Sequence, residues 1–576
     1  MEQRFSPETV RWFKSALGEP TPVQELAWSA IASGRHALVS APTGAGKTLA
    51  AFLVFIDRLK AQASRGELMD CVHLIYVSPL KSLASDIREN LTRPLEGIDG
   101  PSLRVGVRTG DTPASERQKM LRRPPHILIT TPESLYILLT TAKGRAMLST
   151  AQAVILDELH ALISTKRGAH LMLSLARLDA LCARPVQRIG LSATLRPLPL
   201  AADYLAPGED VAVVAPKAEK RSDISVKGVL PDMRILPQGT IWPELAQRVV
   251  EACADRRTVI AFLEGRAQAE RLAAAVNEIA GDGFALTHHG SISREKRQEA
   301  EAALRSGRLR LLCATSSMEL GIDVGEVDLV LQIGNPLTVS AALQRMGRAG
   351  HRPDRTSAMV VFPKTASDGL WCGLTADAAL EGCIEPAHPP RGCLDVLAQH
   401  LVSMAADGGY TVDEALSVAR RAWPTREVSR ADVTALLEML SGDWEHAQDK
   451  PVRPRLLYDR IHGTVLDDAY TRLLALSAGG TIPDRGLYPC VLRNGTRVGE
   501  LDEEFVFEAR VGDRFLLGAF AWRIEEVTRD RVIVSPSTGG GAQAPFWRGD
   551  GTGRDYGISL RFGEWLRRLQ DRKSVV

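Results

Sequence analysis

A rhythm that occurs twice is the strongest constraint on how this chain folds. Four short β-rich runs, "HLIYVSP" (73–79), "HILITTP" (126–132), "AVILDE" (153–158) and "RIGLSAT" (188–194), each end in small or polar residues, and helical stretches such as "LASDIRENLTRPL" lie between them. A second series follows: "TVIAFLEG" (258–265), "FALTHHG" (284–290), "RLLCATS" (310–316) and "VDLVLQIG" (327–334). Strands alternating with crossover helices predict a parallel sheet. The doubling therefore predicts two tandem α/β domains, spanning 1–215 and 216–375 and joined near "APKAEKRSDISV" (215–226).

After about residue 370 the text changes character. "CLDVLAQHLVSMA", "TVDEALSVARRAW" and "SRADVTALLEMLS" read as amphipathic helices, and "HGTVLDDAY" reads as a short hairpin. Three helices and a hairpin predict a winged helix over 385–475. The strand-rich text from "GTIPDRGLYP" onward, punctuated by Gly and Asp turns, predicts a small β-barrel over 478–550. Composition adds bounds. The net charge of +2 announces no overall affinity for nucleic acid, so any such surface is local. The opening "MEQRFSPETV" has no apolar signal core and no apolar run is long enough to span a membrane, which predicts a cytoplasmic protein. The eight cysteines form no C-x-x-C, and Cys372, Cys383 and Cys393 are spaced too widely for a usual zinc knuckle.

The chemistry begins at "LVSAPTGAGKTLAAFL" (38–53). An apolar run meets a loop with two glycines and a lysine, and a helix-like run follows. The phosphate-loop pattern G-x-x-x-x-G-K-[ST] is matched from Ala41, which replaces the first glycine, through Thr43, Gly44, Ala45, Gly46 and Lys47 to Thr48. Glycines let backbone N–H groups approach phosphate oxygens. Lys47 would reach the β and γ phosphates, Thr48 would hold Mg²⁺, and the helix points its positive end at the anion. Such a loop needs a metal-positioning acid on a neighbouring strand. "VILDELH" offers Asp157 for Mg²⁺, with Glu158 to orient the attacking water.

"APTGAGKT", "DELH", "SAT" (192–194) and "QRMGRAGHR" (344–352) occur in the order and rough spacing of superfamily-two helicases. The wider text resembles one branch of them, the large-helicase-related (Lhr) family. The likeness is carried by "PTPVQELAW", "YVSPLKSLASDI", "VRTGDT", "THHGSISREKR", "ATSSMELGIDVGEVDLVLQIGNP", "VGELDEEFV" and "APFWRGDG". It covers essentially the whole chain. It implies two RecA-like domains, ATP and Mg²⁺ as cofactors, and 3′-to-5′ translocation on single-stranded DNA or a 3′-tailed duplex in DNA repair. An RNA or RNA:DNA hybrid helicase with the same motor, or a nucleic-acid-binding scaffold that does not unwind, are the alternatives. A DNA ligase or nuclease partner is compatible with it. The resemblance also implies a further helical domain after "APFWRGDG". "YGISLRFGEWLRRLQ" looks like its first helix, so the chain, with 551–576 as the start of that domain, is expected to be C-terminally truncated.

Site roles follow from the same resemblance. Gln24 should select adenine, since an amide pairs with the adenine edge, although capping the helix of "VQELAWSAI" is its other reading. Arg348 matches the arginine finger and Gln344 the residue near the attacking water. His351, where many superfamily members have a second arginine, is implied to face the nucleotide, and Ile322 and Asp323 to meet base and ribose. Ser192 and Thr194 match the motif that couples hydrolysis to DNA grip. Expected DNA contacts are Lys81, Thr131, Arg266 and Thr315, with Pro79, Ser82 and Ser316 beside them. Ile482 matches an apolar wedge and Trp547 a base-stacking indole.

Overall fold

The computed structural model describes residues 1–42, 44–216, 222–235, 240–289, 294–319, 325, 327–350, 356–406, 408–443, 453–477, 479–481, 487–517, 520–528, 530–537 and 553–573. The first sheet contains β1 (His36–Ser40), β2 (Leu74–Val77), β3 (Val105–Arg108), β4 (Ile127–Thr130), β5 (Ala153–Leu156), β6 (Gln187–Ser192) and β7 (Val211–Val214), in the order β3-β4-β2-β5-β6-β1-β7. The second contains β8 (Ser222–Val226), β9 (Val259–Phe262), β10 (Ala285–His288), β11 (Leu311–Ala314), β12 (Leu329–Ile333) and β13 (Ser357–Phe362), in the order β10-β11-β9-β12-β13-β8. Every pairing in both sheets is parallel.

The two sheets share one topology. The first six strands of the chain occupy the same places in their sheet as β8 to β13 occupy in theirs, and β7 is an addition at the edge. The central strands are buried on both faces, so "LIYV", "AVIL" and "VIAF" read as unbroken apolar runs rather than alternating ones. β8 begins at Ser222, so part of the stretch expected to join the domains is the first strand of the second.

Helices Leu394–Ala405, Val412–Arg421 and Arg430–Ser441 start where the sequence placed them, the last two behind capping boxes, Thr411 with Glu414 and Ser429 with Asp432. With β14 (Tyr410–Thr411), β15 (Leu457–Asp459) and β16 (Thr464–Leu466), paired antiparallel in the order β14-β16-β15, they form the winged helix. Its core runs into that of the first α/β domain: Val396, Leu397 and Leu401 belong to the same buried cluster as Leu171, Leu175 and Leu178.

Residues 481–555 form a compact unit of their own. It holds β17 (Leu487–Leu492), β18 (Arg497–Asp502), β19 (Arg514–Leu517), β20 (Phe520–Val527) and β21 (Val532–Pro536) in the order β18-β17-β21-β20-β19. Its core includes Cys490, Leu501, Phe515, Ile524 and Val534. Among the described residues the edge strands β18 and β19 do not pair with each other, so the expected barrel is observed as a five-stranded sheet. The helix Tyr556–Lys573 belongs to the larger unit. There Phe562 stacks on Trp371 at 3.8 Å and Trp565 donates its indole N–H to Asp377 at 2.6 Å. Among the described residues no helix is long and apolar enough to cross a membrane.

Candidate active site

The phosphate loop leaves β1 and enters the helix Lys47–Ser64, whose N-cap is Gly46. Gly44 and Gly46 both sit at φ 81°, a left-handed conformation that a side chain would strain. A Cβ on Gly46 would also lie 2.5 Å from the Gln24 amide nitrogen. That contact places Gln24 against the loop, and Thr21 Oγ1 donates to the Ala45 carbonyl at 3.1 Å beside it. Gln24 also caps its helix: its Oε1 accepts from the Thr21 N–H at 2.9 Å. The capping reading of Gln24 is thus observed, with its amide nitrogen beside the phosphate loop.

Lys47 Nζ donates to the loop's own carbonyls, Ala41 at 2.6 Å and Pro42 at 2.9 Å. Burial lowers its pKa. Glu158 and then Asp157 pull it back up, and Arg348 pushes it down again. These four side chains, drawn from both α/β domains, thus share one electrostatic neighbourhood.

Asp157 directly follows β5, and its N–H donates to the Val77 carbonyl at 3.0 Å, which extends the ladder by one residue. One carboxylate oxygen accepts from the Glu158 N–H at 2.8 Å and the other from the Tyr76 hydroxyl. Burial, and then the neighbouring Glu158, push the Asp157 carboxyl up to about 6, against the Tyr76 hydrogen bond and Lys47. Glu158 has φ 47°, the one non-glycine residue at positive φ among the described residues. A carboxylate held in that strained region is a mark of a functional site. His160 Nδ1 lies 3.2 Å from Ser192 Oγ and 3.5 Å from Glu158 Oε2. Burial, and then Lys47, lower its pKa to about 4, so the ring is neutral at pH 7.

The second domain closes the site. Arg348 is 2% exposed and donates to the Glu319 carbonyl at 2.7 Å. Gln344 reaches across the cleft: its Nε2 donates to Thr194 Oγ1 at 2.9 Å and to Ser340 Oγ at 3.2 Å. In this conformation Gln344 is tied to the "SAT" stretch of the first domain. Its neighbour Arg345, which the sequence reading passed over, pairs with Glu264 and Glu319 at 2.8 Å each and with Gln332 at 2.7 Å. That buried cation pins the helix Val339–Met346 to the second sheet. Tyr76 and Ser340 were missed as well. Tyr76 had one signal, a hydroxyl-bearing ring inside the buried run "LIYV".

The expected DNA contacts divide by structural equivalence. Lys81 and Arg266 are the first residues of the helices after β2 and β9, which hold equivalent places in the two sheets. Thr131 and Thr315 likewise follow β4 and β11. Lys81 is exposed and pairs with Asp111 at 2.8 Å. Thr131 is buried, and its hydroxyl donates to Ser134 at 3.3 Å, so in this conformation it is turned inward. Arg167 grips Glu133 through two nitrogens and the Pro79 carbonyl at 2.6 Å, tying together two of the expected DNA-contact loops. Thr43, Ile322, Asp323, His351, Ile482 and Trp547, together with the Arg266 side chain, lie outside the described residues.

The residues fit a nucleoside triphosphate and a hard divalent cation. The loop presents backbone donors at the N-terminus of a long helix, beside a lysine and an amide. Thr48 and Asp157 offer the oxygen ligands that such a cation takes.

Comparison with known proteins agrees with this geometry. Residues 21–200 match the DEAD/DEAH box helicase domain, 244–352 the helicase conserved C-terminal domain, and 377–544 the winged helix domain of large helicase-related protein. The Lhr helicase/uracil glycosylase of Escherichia coli is 42% identical over 98% of this chain, which spans 41% of that protein. The ATP-dependent helicase Lhr-Core of Methanothermobacter thermautotrophicus is 38% identical over 92% of the chain, which spans 64% of it. The helicase Lhr of Mycobacterium smegmatis, solved bound to ssDNA and AMP-PNP, superposes with a TM-score of 0.83 at 42% identity, covering 97% of this chain and 69% of that one. With the phosphate loop, the acidic strand end and the arginine of the second domain gathered at one cleft, and with these matches along its length, the chain belongs to the large-helicase-related (Lhr) family of superfamily-two helicases.

Proposed function

We propose that the chain is an ATP-dependent 3′-to-5′ DNA helicase or translocase, acting in DNA repair, that hydrolyses ATP between its two RecA-like domains while tracking along single-stranded DNA. The convergence of Lys47, Asp157, Glu158 and Arg348 from both domains carries this reading. Lys47 would neutralise the β and γ phosphates, and Gln24 would read the adenine edge. Thr48 and Asp157 would hold Mg²⁺, which when bound draws charge from the phosphates. Glu158 would orient the attacking water. Arg348 would add positive charge as negative charge develops on the γ phosphate. The bridge from Gln344 to Thr194 gives the second domain a means of sensing the first. Ile322, Asp323 and His351 would complete the nucleotide site, and Lys81, Thr131, Arg266, Thr315, Ile482 and Trp547 the strand path. Support for DNA as substrate comes from the Mycobacterium smegmatis relative, which was solved with ssDNA.

One assay tests the proposal. ATP turnover is measured with single-stranded DNA, with RNA and with neither, beside displacement of a strand from 3′-tailed and 5′-tailed duplexes. Stimulation by DNA and displacement from the 3′-tailed duplex alone are expected. Stimulation by RNA only would move the substrate to RNA, and no turnover under any condition would leave a binding scaffold.

A further inference from the structure

Tyr76 contacts one of the two residues assigned to Mg²⁺ and packs one helical turn from the other. Its strand, β2, runs parallel to β5 with Tyr76 opposite Ile155, so the phenol reaches along the sheet to Asp157, just past the strand's end. Tyr76 is fully buried, and its ring stacks on Phe52 at 5.1 Å with 29° between the planes. Phe52 lies four residues after Thr48 on the helix Lys47–Ser64, hence on the same face one turn further in. One side chain thus touches both halves of the metal-side arrangement: it donates to the Asp157 carboxylate and packs beneath the turn that carries Thr48.

We propose that Tyr76 is a positioning residue that sets the orientation of the Asp157 carboxylate, and its distance from Thr48, for a divalent cation bound with the nucleotide. This deepens the ATP-hydrolysis reading and rests on it. With one carboxylate oxygen held by the Glu158 N–H and the other by the phenol, the group cannot turn about its terminal bond without breaking one of these hydrogen bonds. A carboxylate has about four lone-pair sites, so two remain for a cation once both hydrogen bonds are made. Outer partners of this kind typically change metal affinity by roughly 10- to 100-fold when removed.

The test uses the full chain and three variants. Tyr76→Phe removes only the hydroxyl, Phe52→Leu removes the ring beneath it, and Asp157→Asn removes the assigned ligand. The readouts are affinity for a fluorescent ATP analogue with and without Mg²⁺, Mn²⁺ binding by paramagnetic resonance in the presence of ADP, and thermal melting. Asp157→Asn should lose the metal-dependent part of nucleotide binding; if it did not, the assignment of Asp157, and with it the ATP-site reading, would fall. Given that loss, Tyr76→Phe should raise the Mg²⁺ and Mn²⁺ concentrations for half-saturation about tenfold or more, leaving metal-free nucleotide binding unchanged. Unaltered metal affinity in Tyr76→Phe would overturn the proposal. So would an equal metal defect in Phe52→Leu at an equal loss of melting temperature, since Tyr76 would then be a packing residue only.

Discussion

Gln344 of the second α/β domain donates its side-chain amide to the Thr194 hydroxyl of the first at 2.9 Å, and Ser340 lies 2.8 Å from the same hydroxyl. Two residues one helical turn apart therefore close on a single atom of the opposing domain. Ser192, two residues before Thr194, lies 3.2 Å from His160 of the acidic motif. A short polar chain thus connects the Glu158 neighbourhood to the cleft. Because His160 is held neutral, its link to Ser192 is a hydrogen bond between uncharged groups.

Thr194→Val keeps the shape and removes the shared hydroxyl. Each such hydrogen bond contributes about 1 kcal/mol net, so losing two should weaken closure of the cleft by about tenfold or more. Duplex displaced per phosphate released should fall by a similar factor. An unchanged ratio would mean that the bridge packs the cleft without coupling it.

Lys47→Ala should abolish ATP turnover, because the γ phosphate loses its counter-charge. Glu158→Gln should instead retain bound ATP, which filter binding of labelled nucleotide would detect. Turnover by Glu158→Gln near the wild-type rate with DNA present would show that Glu158 does not orient the water.

Arg348→Ala should cost on the order of 10³-fold in turnover, the range of fingers supplied from outside a nucleotide site. ATP binding should weaken far less. Equal losses in both would assign Arg348 to holding the ground-state nucleotide or the fold around Glu319.

The winged helix sits on the first domain through a buried polar cluster. The His170 and His400 rings are 4.6 Å apart, Tyr136 is within 5.2 Å of each, and Arg177 donates to Ser403 at 2.9 Å. Burial lowers the His170 pKa from 6.5 to about 4, with Glu133 opposing and Arg177 and Arg167 adding to it; burial and then His170 take His400 well below its usual value. Groups whose folded pKa is depressed in this way are protonated only in the unfolded chain between the two values. Their stability is fully present above about pH 6.5 and is lost as the pH falls toward 4. For His170 alone that is about 3 kcal/mol. His36, His126 and His160 act in the same direction, and Asp157, raised to about 6, acts in the opposite one. Melting temperature should therefore drop between pH 7 and pH 5. The double variant His170→Asn, His400→Asn should melt lower at pH 7.5 but with a shallower slope. An unchanged slope would remove the cluster as its source.

Much of this was legible because it is local. A phosphate loop must follow a strand and open a helix, so "APTGAGKT" fixed its own surroundings, and the amphipathic runs that begin at Thr411 and Ser429 start at those residues, which cap them. The edge strand β3, "VGVR", and the strand β13, "SAMVVF", went unread, since nothing in four to six residues says which strand they pair with. The barrel expectation came from alternating strands and turns, but whether an edge closes is decided by long-range pairing. At the site, Lys47, Asp157, Glu158 and Arg348 had motif signals. Tyr76, Ser340 and Arg345 had almost none, because their roles come from partners 81, 146 and 81 positions away.

The equivalence of the two sheets yields a final prediction. Lys81 and Arg266 begin helices after equivalent strands, so the equivalent backbone position of each α/β domain carries a basic residue. If both hold phosphates, each alanine variant should weaken binding of single-stranded DNA to a similar extent whatever the base sequence. Each should also reduce the slope of log affinity against log salt by about 0.7, the value for one phosphate contact on a single strand. Lys81 has a competing partner, Asp111, at 2.8 Å. Asp111→Asn should therefore strengthen binding modestly, and only while Lys81 is present. Fluorescence anisotropy of a labelled oligonucleotide between 50 and 300 mM salt reads all of these. A slope that changes for Arg266→Ala and not for Lys81→Ala, with Asp111→Asn silent, would leave Lys81 as a surface ion pair and place the strand on the second domain only.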